Sequence, residues 1–317
     1  MQTYRSKKIS LIVPVKNEQE SISSFLEEVY RSLIDIDYLL EIIFIDDGST
    51  DQTLKVIKKS PDNELYTIKY IKLSKNFGKE AAMSVGVDYA SGDAIIPIDV
   101  DLQDPPHIII EFIEKWEQGF DTVYGVRISR NDDTKSKKTS ANMFYKFFNK
   151  ISDTPIPHNA GDFRLMDRKV IDAIKKLPEK NRFMKGLFAW PGFSSTGVGY
   201  ERPARRYGKT KFNAWKLWNF AVDGITSFST WPLRVWSYLG GVVALFSLAF
   251  MGYIMVRTIV LGRDLPGYAS IMSAILFFGA MQLISIGILG EYIGRIYIES
   301  KGRPLYLIEE KSSSLHD

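Results

Sequence analysis

Three carboxylates fall close together in the stretch Asp99-Val100-Asp101-Leu102-Gln103-Asp104-Pro105-Pro106. A short apolar run, Ala94 to Ile98, leads into it and reads as a buried strand that ends in acid. If Asp99 and Asp101 continue that strand, both point to one face while Val100 turns toward the core. Two carboxylates so placed repel each other unless a cation sits between them. Hard oxygen ligands of this kind suit Mg²⁺ or Mn²⁺, bridged onward to phosphate oxygens. The chemistry implied is a divalent ion holding a nucleoside diphosphate. The other reading of the same residues is a solvated acidic turn ahead of a helix opened by Pro105 and Pro106.

The elements that must position such a site alternate short apolar runs with helical patterns, the signature of an α/β sheet built largely of parallel strands. Ile9 to Val13 is the first strand, followed by the loop Pro14-Val15-Lys16-Asn17-Glu18 and a helix from Ser21 to Leu33. Asn17 and Glu20 are spaced like a capping box, with Ser21 as the alternative cap. Ile42 to Ile45 is a second strand that ends in Asp46-Asp47-Gly48-Ser49-Thr50-Asp51, ahead of a helix from Gln52 to Lys59. Open α/β sheets bind ligands beyond the carboxyl ends of their strands, so Asp46 and Asp47 are placed to accept hydrogen bonds from a base or ribose. An acidic helix-capping turn is the alternative. Thr67 to Leu73 is the third strand. It leads through Ser74-Lys75-Asn76-Phe77-Gly78-Lys79-Glu80 into a helix reaching Ala90, where Lys75 and Lys79 either approach phosphates or form a solvated basic loop. After the Pro-Pro helix, which runs to about Gln118, Thr122 to Val126 makes another strand ending at Arg127. Four strands thus end in charged or turn residues on one expected edge, and that recurrence favours the metal reading of the acidic stretch.

Composition removes several other chemistries. The chain of 317 residues has no cysteine, which excludes disulfides, thiolate metal sites and cysteine nucleophiles. His107, His158 and His316 stand apart without metal-ligand spacing, which argues against zinc hydrolysis. A net charge of +4 is too mild to suggest a nucleic-acid binder. The polar N-terminus runs straight into a strand without a signal-peptide core, so the first domain is expected in the cytosol.

Val13-Pro14-Val15-Lys16-Asn17-Glu18, Ile45 to Asp51, Asn76-Phe77-Gly78-Lys79 and Asp99 to Pro106 together resemble family 2 glycosyltransferases. Within that family the chain is similar to the polyprenyl-phosphate hexose synthases, and the likeness continues through Gly161-Asp162-Phe163-Arg164-Leu165 and the Arg202 to Phe212 segment. Lys209-Thr210-Lys211 departs from the acidic-Ser-Lys pattern more common there. The resemblance implies a Rossmann-like GT-A domain of mostly parallel sheet, with interfacial helices and a two-helix transmembrane hairpin. It implies inverting transfer of a hexose, best read as glucose from UDP-glucose, to a polyprenyl phosphate; GDP-mannose or a modified UDP-sugar is the alternative donor, a processive polysaccharide synthase the alternative activity, and a non-enzymatic membrane nucleotide-sensing subunit the alternative from another class. It also implies that Pro14, Val15, Asn17, Glu18, Asp46, Asp47, Lys75, Gly78 and Asp99 bind the nucleotide sugar, that Asp101 and Gln103 hold Mg²⁺ or Mn²⁺, and that Asp99, Asp101 and Asp162 serve catalysis. Gathering two anions in one cleft requires cations. Arg127, Arg164, Arg202 and Lys211 are the candidates for the acceptor phosphate, with Arg130 and Lys135-Ser136-Lys137-Lys138 in a loop beside them. The Gly208-Lys209-Thr210 run lacks the glycine five residues earlier that a P-loop needs, because Pro203 stands there.

The expected domains are a cytosolic GT-A unit at 1–205, a basic juxtamembrane segment at 206–232, two transmembrane helices within 233–293, and a cytosolic tail at 294–317. Trp236 to Val256 and Tyr268 to Leu289 each reach the ~20 apolar residues that cross a bilayer. Basic residues on both outer flanks, including Lys216, Arg234, Arg295 and Lys301, favour an inner-membrane hairpin with both ends inside. Phe212, Trp215, Trp218, Val222 and Ile225 recur at helical spacing, as in an interfacial helix. Gly240, Gly241, Gly279, Ser285, Gly287 and Gly290 would let helices pack closely. Two spans bury little by themselves, so a homo-oligomer is expected.

Overall fold

A computed structural model describes residues 7–128, 160–180, 182, 184–203, 226, 229–261 and 267–315. In chain order the elements are β1 (Lys8–Val15), α1 (Ile22–Leu33), β2 (Leu39–Asp46), α2 (Thr53–Lys59), β3 (Tyr66–Leu73), α3 (Lys79–Tyr89), β4 (Ala94–Pro97), α4 (Ile108–Glu117) and β5 (Thr122–Arg127). There follow β6 (Ala160–Asp167), α5 (Arg168–Lys175), α6 (Met184–Ala189), β7 (Ser195–Tyr200), the long α7 (Trp231–Leu261) and α8 (Tyr268–Ser300), and β8 (Ile308–Lys311). Each strand and helix expected before Arg127 is present. The ends differ slightly, because ladder hydrogen bonds continue past the apolar runs.

The strands form one sheet in the order β7-β5-β6-β4-β1-β2-β3-β8. β1 pairs in parallel with both β2 and β4, so the chain reverses its direction of travel across the sheet at the β1/β4 boundary. Such a switch point leaves a crevice at the carboxyl ends of the two strands. β6 runs antiparallel to β4 and β5, so its first residues, rather than its last, lie at this same edge.

Both faces of the sheet are covered, which is why its central strands are nearly continuous apolar runs. On one face Ile9, Leu11 and Val13 of β1 and Phe44 of β2 pack with Phe25 and Val29 of α1 and Phe112 of α4. On the other, Ile12, Ile43 and Ile95 meet Ala82 and Val85 of α3 and Ile171 of α5. Residues 22, 25, 26, 29 and 33 of α1 are all buried, a single helical stripe facing the sheet. Each such side chain contributes about 1.5–3 kcal/mol on burial.

Two local expectations are corrected. Ser21 is the N-cap of α1 and makes no side-chain capping bond; its hydroxyl donates to Glu18 Oε2 at 2.9 Å. Asn17 is not in a capping box, because its φ is +54° and its Oδ1 accepts from the Thr50 N–H across the neighbouring loop. Asp99 and Asp101 do not continue β4, which ends at Pro97. The ladder extends only to the Ile98 N–H, which donates to the Ile12 carbonyl at 2.9 Å, and the chain then turns with Leu102 at φ +57°. Burial still alternates through the turn: Ile98, Val100, Leu102 and Asp104 are buried, while Asp99, Asp101 and Gln103 are half-buried.

α7 and α8 are long and apolar enough to cross a membrane, and their apolar windows are wholly unburied by the rest of the chain. At 33 residues α8 is about 50 Å long, against a hydrocarbon core of about 30 Å. The helix is thus longer than such a core, and near its end Glu299 Oε1 accepts from the Lys180 N–H of the sheet domain at 2.7 Å. The segment after it returns to the sheet as β8, antiparallel to β3, with Leu315 buried beneath. The segment expected as a C-terminal tail thus contributes an edge strand. Among the described residues nothing packs against Gly240, Gly241, Gly279, Gly287 or Gly290, since a Cβ on any of them would meet nothing within 4 Å. The expected interfacial helix (residues 212–225), the basic loop at 129–139 and the Gly208-Lys209-Thr210 run lie outside the described residues.

Candidate active site

The crevice at the β1/β4 switch point is lined by Pro14 from β1, Pro97, Ile98 and Asp99 from the end of β4, Lys79 from α3 and Asp162 from β6. Its centre is a cation between two carboxylates. Lys79 Nζ lies 2.7 Å from Asp99 Oδ1 and 3.1 Å from Asp162 Oδ2. Burial by itself pulls the Lys79 ammonium down, but the charges of Asp99 and then Asp162 outweigh it and hold the group above the usual lysine range. Burial pushes Asp162 up, and Lys79 followed by Lys185 more than reverse this, so Asp162 stays ionised. Next to this pair, Glu80 accepts from the Met184 N–H at 3.2 Å. Burial, with the Asp162 charge behind it, raises its carboxyl well above the ordinary range.

The acidic turn is braced internally. Gln103 donates its N–H to Asp101 Oδ1 at 3.1 Å, which orients that carboxylate. Asp104 is buried and accepts from the Tyr200 hydroxyl. Leu102, held in the left-handed region although it is not glycine, is a strained residue at the centre of the turn.

The loops after β1 and β2 are clipped together. Asn17 donates its N–H to Ser49 Oγ and Glu18 donates its own to Thr53 Oγ1, both at 2.9 Å. Val15 is buried, and Pro14 is half-buried at the crevice. Asp46 is buried with Oδ1 accepting from the Ser49 N–H at 2.8 Å, while its Oδ2 has no hydrogen-bond partner among the described residues. Asp47 differs from expectation. Its two oxygens accept the N–H groups of Phe77 and Gly78 at 2.7 and 3.0 Å, so it braces the loop before α3. Lys75 is exposed, with its ammonium 5.1 Å from the Phe77 ring centre, and Gly78 caps α3 at φ +97°.

The expected acceptor cations separate. Arg127, at the end of β5, donates through Nε to the Tyr200 hydroxyl at 3.4 Å and keeps a quarter of its side chain exposed. Arg202, two residues beyond β7, is half-buried, and its charge acts on Asp104. Arg164 is corrected: it is 2% exposed, bonded to the Gly161 carbonyl at 2.8 Å and stacked 4.6 Å from the Phe188 ring centre. A guanidinium so enclosed supports the start of β6 and leaves Asp162 in place. Lys211 lies outside the described residues. The sequence reading left Asp104 and Tyr200 without assigned roles and gave Lys79 only the choice between a phosphate contact and a solvated loop. Lys79 alone carried a signal, as a basic residue opening a helix after a strand.

Among the described residues no group of three or more His, Asp or Glu is gathered for a metal. Asp101 and Gln103 nonetheless supply a carboxylate and an amide oxygen in one turn. This small hard-donor set fits an ion completed by phosphate oxygens and water.

Comparison with known proteins matches residues 10–175 to the family model described as glycosyl transferase family 2, and residues 231–296 to that of the GtrB C-terminal hairpin. An uncharacterized glycosyltransferase of Synechocystis sp. is 51% identical over 302 residues, 95% of each chain. The bactoprenol glucosyl transferase of Shigella phage SfV is 50% identical over 96% of this chain and 99% of its own. A prophage bactoprenol glucosyl transferase homolog of Escherichia coli is 49% identical over 95% and 98%. The mostly parallel sheet with two apolar C-terminal helices is the GT-A-type architecture expected from the sequence. The chain therefore belongs to glycosyl transferase family 2, as a membrane-associated glycosyltransferase carrying the GtrB-type hairpin.

Proposed function

We propose that the protein transfers glucose from UDP-glucose to undecaprenyl (bactoprenol) phosphate, releasing UDP. The observation that carries this reading is identity of about half the residues, along nearly the full length, to bactoprenol glucosyl transferases. The crevice chemistry supports it. A phosphate oxygen of the lipid attacks the anomeric carbon, the bond from that carbon to the donor's diphosphate breaks, and configuration inverts. A phosphate monoester has a second pKa of about 6, so the nucleophile is already largely ionised and needs no strong base. Asp162, held ionised by Lys79, then orients the sugar or the acceptor.

For the donor, Pro14, Val15, Asn17, Glu18, Asp46, Lys75 and Gly78 surround the uridine and diphosphate in this reading. The buried, unpartnered Asp46 Oδ2 is an acceptor that a base N–H can satisfy. Asp101 and Gln103 would hold Mg²⁺ or Mn²⁺ beside Asp99. The ion would supply charge neutralisation for the departing diphosphate. Arg127 and Arg202 face the acceptor phosphate, with Lys211 assigned there by resemblance alone. The catalytic domain is placed on the cytosolic side of the plasma membrane, and the apolar faces of both helices suit a homo-oligomer.

Incubating purified protein with radiolabelled UDP-glucose, Mg²⁺ and undecaprenyl phosphate tests this. A product that partitions into organic solvent and releases glucose on mild acid treatment is expected. Transfer from GDP-mannose only, or formation of a polymer, would replace the reading.

A further inference from the structure

The Asp104 carboxylate is buried, yet it stands in the same turn as Asp99 and Asp101. Its partner is Tyr200, 96 residues away at the end of β7, whose hydroxyl donates to Asp104 Oδ1. A phenol has one proton to give, so with that proton on Asp104 its oxygen is left to accept, and Arg127 Nε donates to it at 3.4 Å. The guanidinium itself is 3.9 Å from Asp104 Oδ1, too far for a closed ion pair. Arg127 and Tyr200 are register partners in the parallel β5/β7 ladder, which sets their side chains on one face.

The surroundings are shaped for this chain of contacts. The Tyr200 ring passes over Gly125, where a Cβ would stand 2.7 Å from Tyr200 Cε1. It also meets Phe163 edge-on at 5.8 Å. The Arg127 guanidinium passes over Gly161, where a Cβ would stand 3.0 Å from Nη2. Arg127 and Arg202 both act on the carboxylate of Asp104, against the neighbouring charge of Asp99.

We propose that Asp104 and Tyr200 are positioning residues that aim Arg127 at the anionic phosphate of the acceptor and tie this arginine to the turn carrying Asp99 and Asp101. The proposal rests on the reading above that the acceptor is a phosphate. Asp104 fixes the hydroxyl, the hydroxyl fixes Nε, and the quarter of the Arg127 side chain that stays exposed is left for the phosphate. A purely structural clamp between β5, β7 and the turn would instead act on folding and on donor binding as much as on the acceptor.

The test uses the full-length protein in nanodiscs and the variants Tyr200→Phe, which keeps the ring, and Asp104→Asn, which keeps the shape. Tyr30→Phe, which loses a hydroxyl bonded to Glu64 well away from the crevice, is the control. Tyr200→Phe should raise the KM for undecaprenyl phosphate roughly three- to tenfold, with UDP affinity unchanged within a factor of roughly two. In an Arg127→Ala background the same change should have no further effect, because Tyr200 acts through Arg127. Asp104→Asn should behave alike, and it carries the test if Tyr200→Phe does not fold. Binding of decyl phosphate, measured by calorimetry, provides a readout independent of turnover. An unchanged KM and unchanged decyl phosphate affinity in both variants, or an equal loss with and without Arg127, overturns the inference. If the wild type transfers no glucose but binds decyl phosphate with the same non-additive pattern, the glucosyl reading fails and the inference stands. If it neither transfers glucose nor binds decyl phosphate, both fail.

Discussion

The Lys79 ammonium lies 2.7 Å from Asp99 Oδ1, so the first carboxylate of the acidic turn meets a cation supplied by its own chain. The same ammonium reaches Asp162, so one side chain reconciles two like charges that would otherwise repel across the crevice. Lys79→Met should therefore lower the initial rate of transfer roughly a hundredfold, the scale expected when one preorganised charge is removed from a site. Lys79→Arg should retain part of the rate. A rate for Lys79→Met within a factor of about two of wild type would make the ammonium a solvated surface charge.

Asp101→Asn tests the ion. The substitution preserves shape and removes the charge that a hard cation requires, so Mn²⁺-dependent UDP binding should weaken roughly tenfold or more. The melting temperature should hardly move, because the carboxylate is half-buried and its backbone partner Gln103 N–H can still bond an amide oxygen. Excess chelator should silence the wild type. Undiminished transfer under chelation would remove the metal from the mechanism.

Glu41 predicts how the fold responds to acid. Burial alone would raise its carboxyl, but hydrogen bonds from Lys69, Ser10 and Ser91 outweigh burial and hold it at about 2, against an ordinary value of 4.5. A depressed folded-state pKa stabilises above the unfolded value and loses that stabilisation as pH falls toward the folded one. The contribution is roughly 3 kcal/mol at neutral pH, lost progressively between about pH 4.5 and 2. Glu41→Gln should lower the unfolding midpoint at pH 7 and flatten its decline over that window. Parallel acid profiles for variant and wild type would assign the acid sensitivity to other groups.

The return of the chain as β8 makes two opposite predictions about neighbouring residues. Leu315 is 5% exposed, and truncation to Ala should cost about 2–4 kcal/mol by leaving a cavity beside the α3 face. Glu310 pairs with Lys58 at 2.5 Å, but both side chains are more than a third exposed, so Glu310→Ala should cost less than about 1 kcal/mol. Denaturant melts of the two variants give the comparison. A larger loss for Glu310→Ala would mean that the strand is held by its charges rather than by its apolar anchor.

The sequence alone was enough for the parallel β/α framework, the carboxylates at its strand ends and the membrane hairpin. Each is written locally, as apolar runs bounded by turns or as two stretches of bilayer length. It did not reveal β6, β7 or β8 as strands. Arg164 and Asp162 interrupt the apolar pattern of β6, glycines thin out β7, and the Glu309-Glu310-Lys311 charges disguise β8. These strands are held by ladders and ion pairs to residues far along the chain, which no local pattern records. Only the tertiary structure, by running β6 antiparallel, delivers Asp162 to the edge where Asp99 follows β4 and Lys79 opens its helix. Only it turns Asp47 and Arg164 inward, because the backbone N–H groups and carbonyl that claim them belong to loops brought alongside by folding. Residue types declare which charges a chain owns, whereas packing across the sheet decides which of them are spent on the fold and which remain for a substrate.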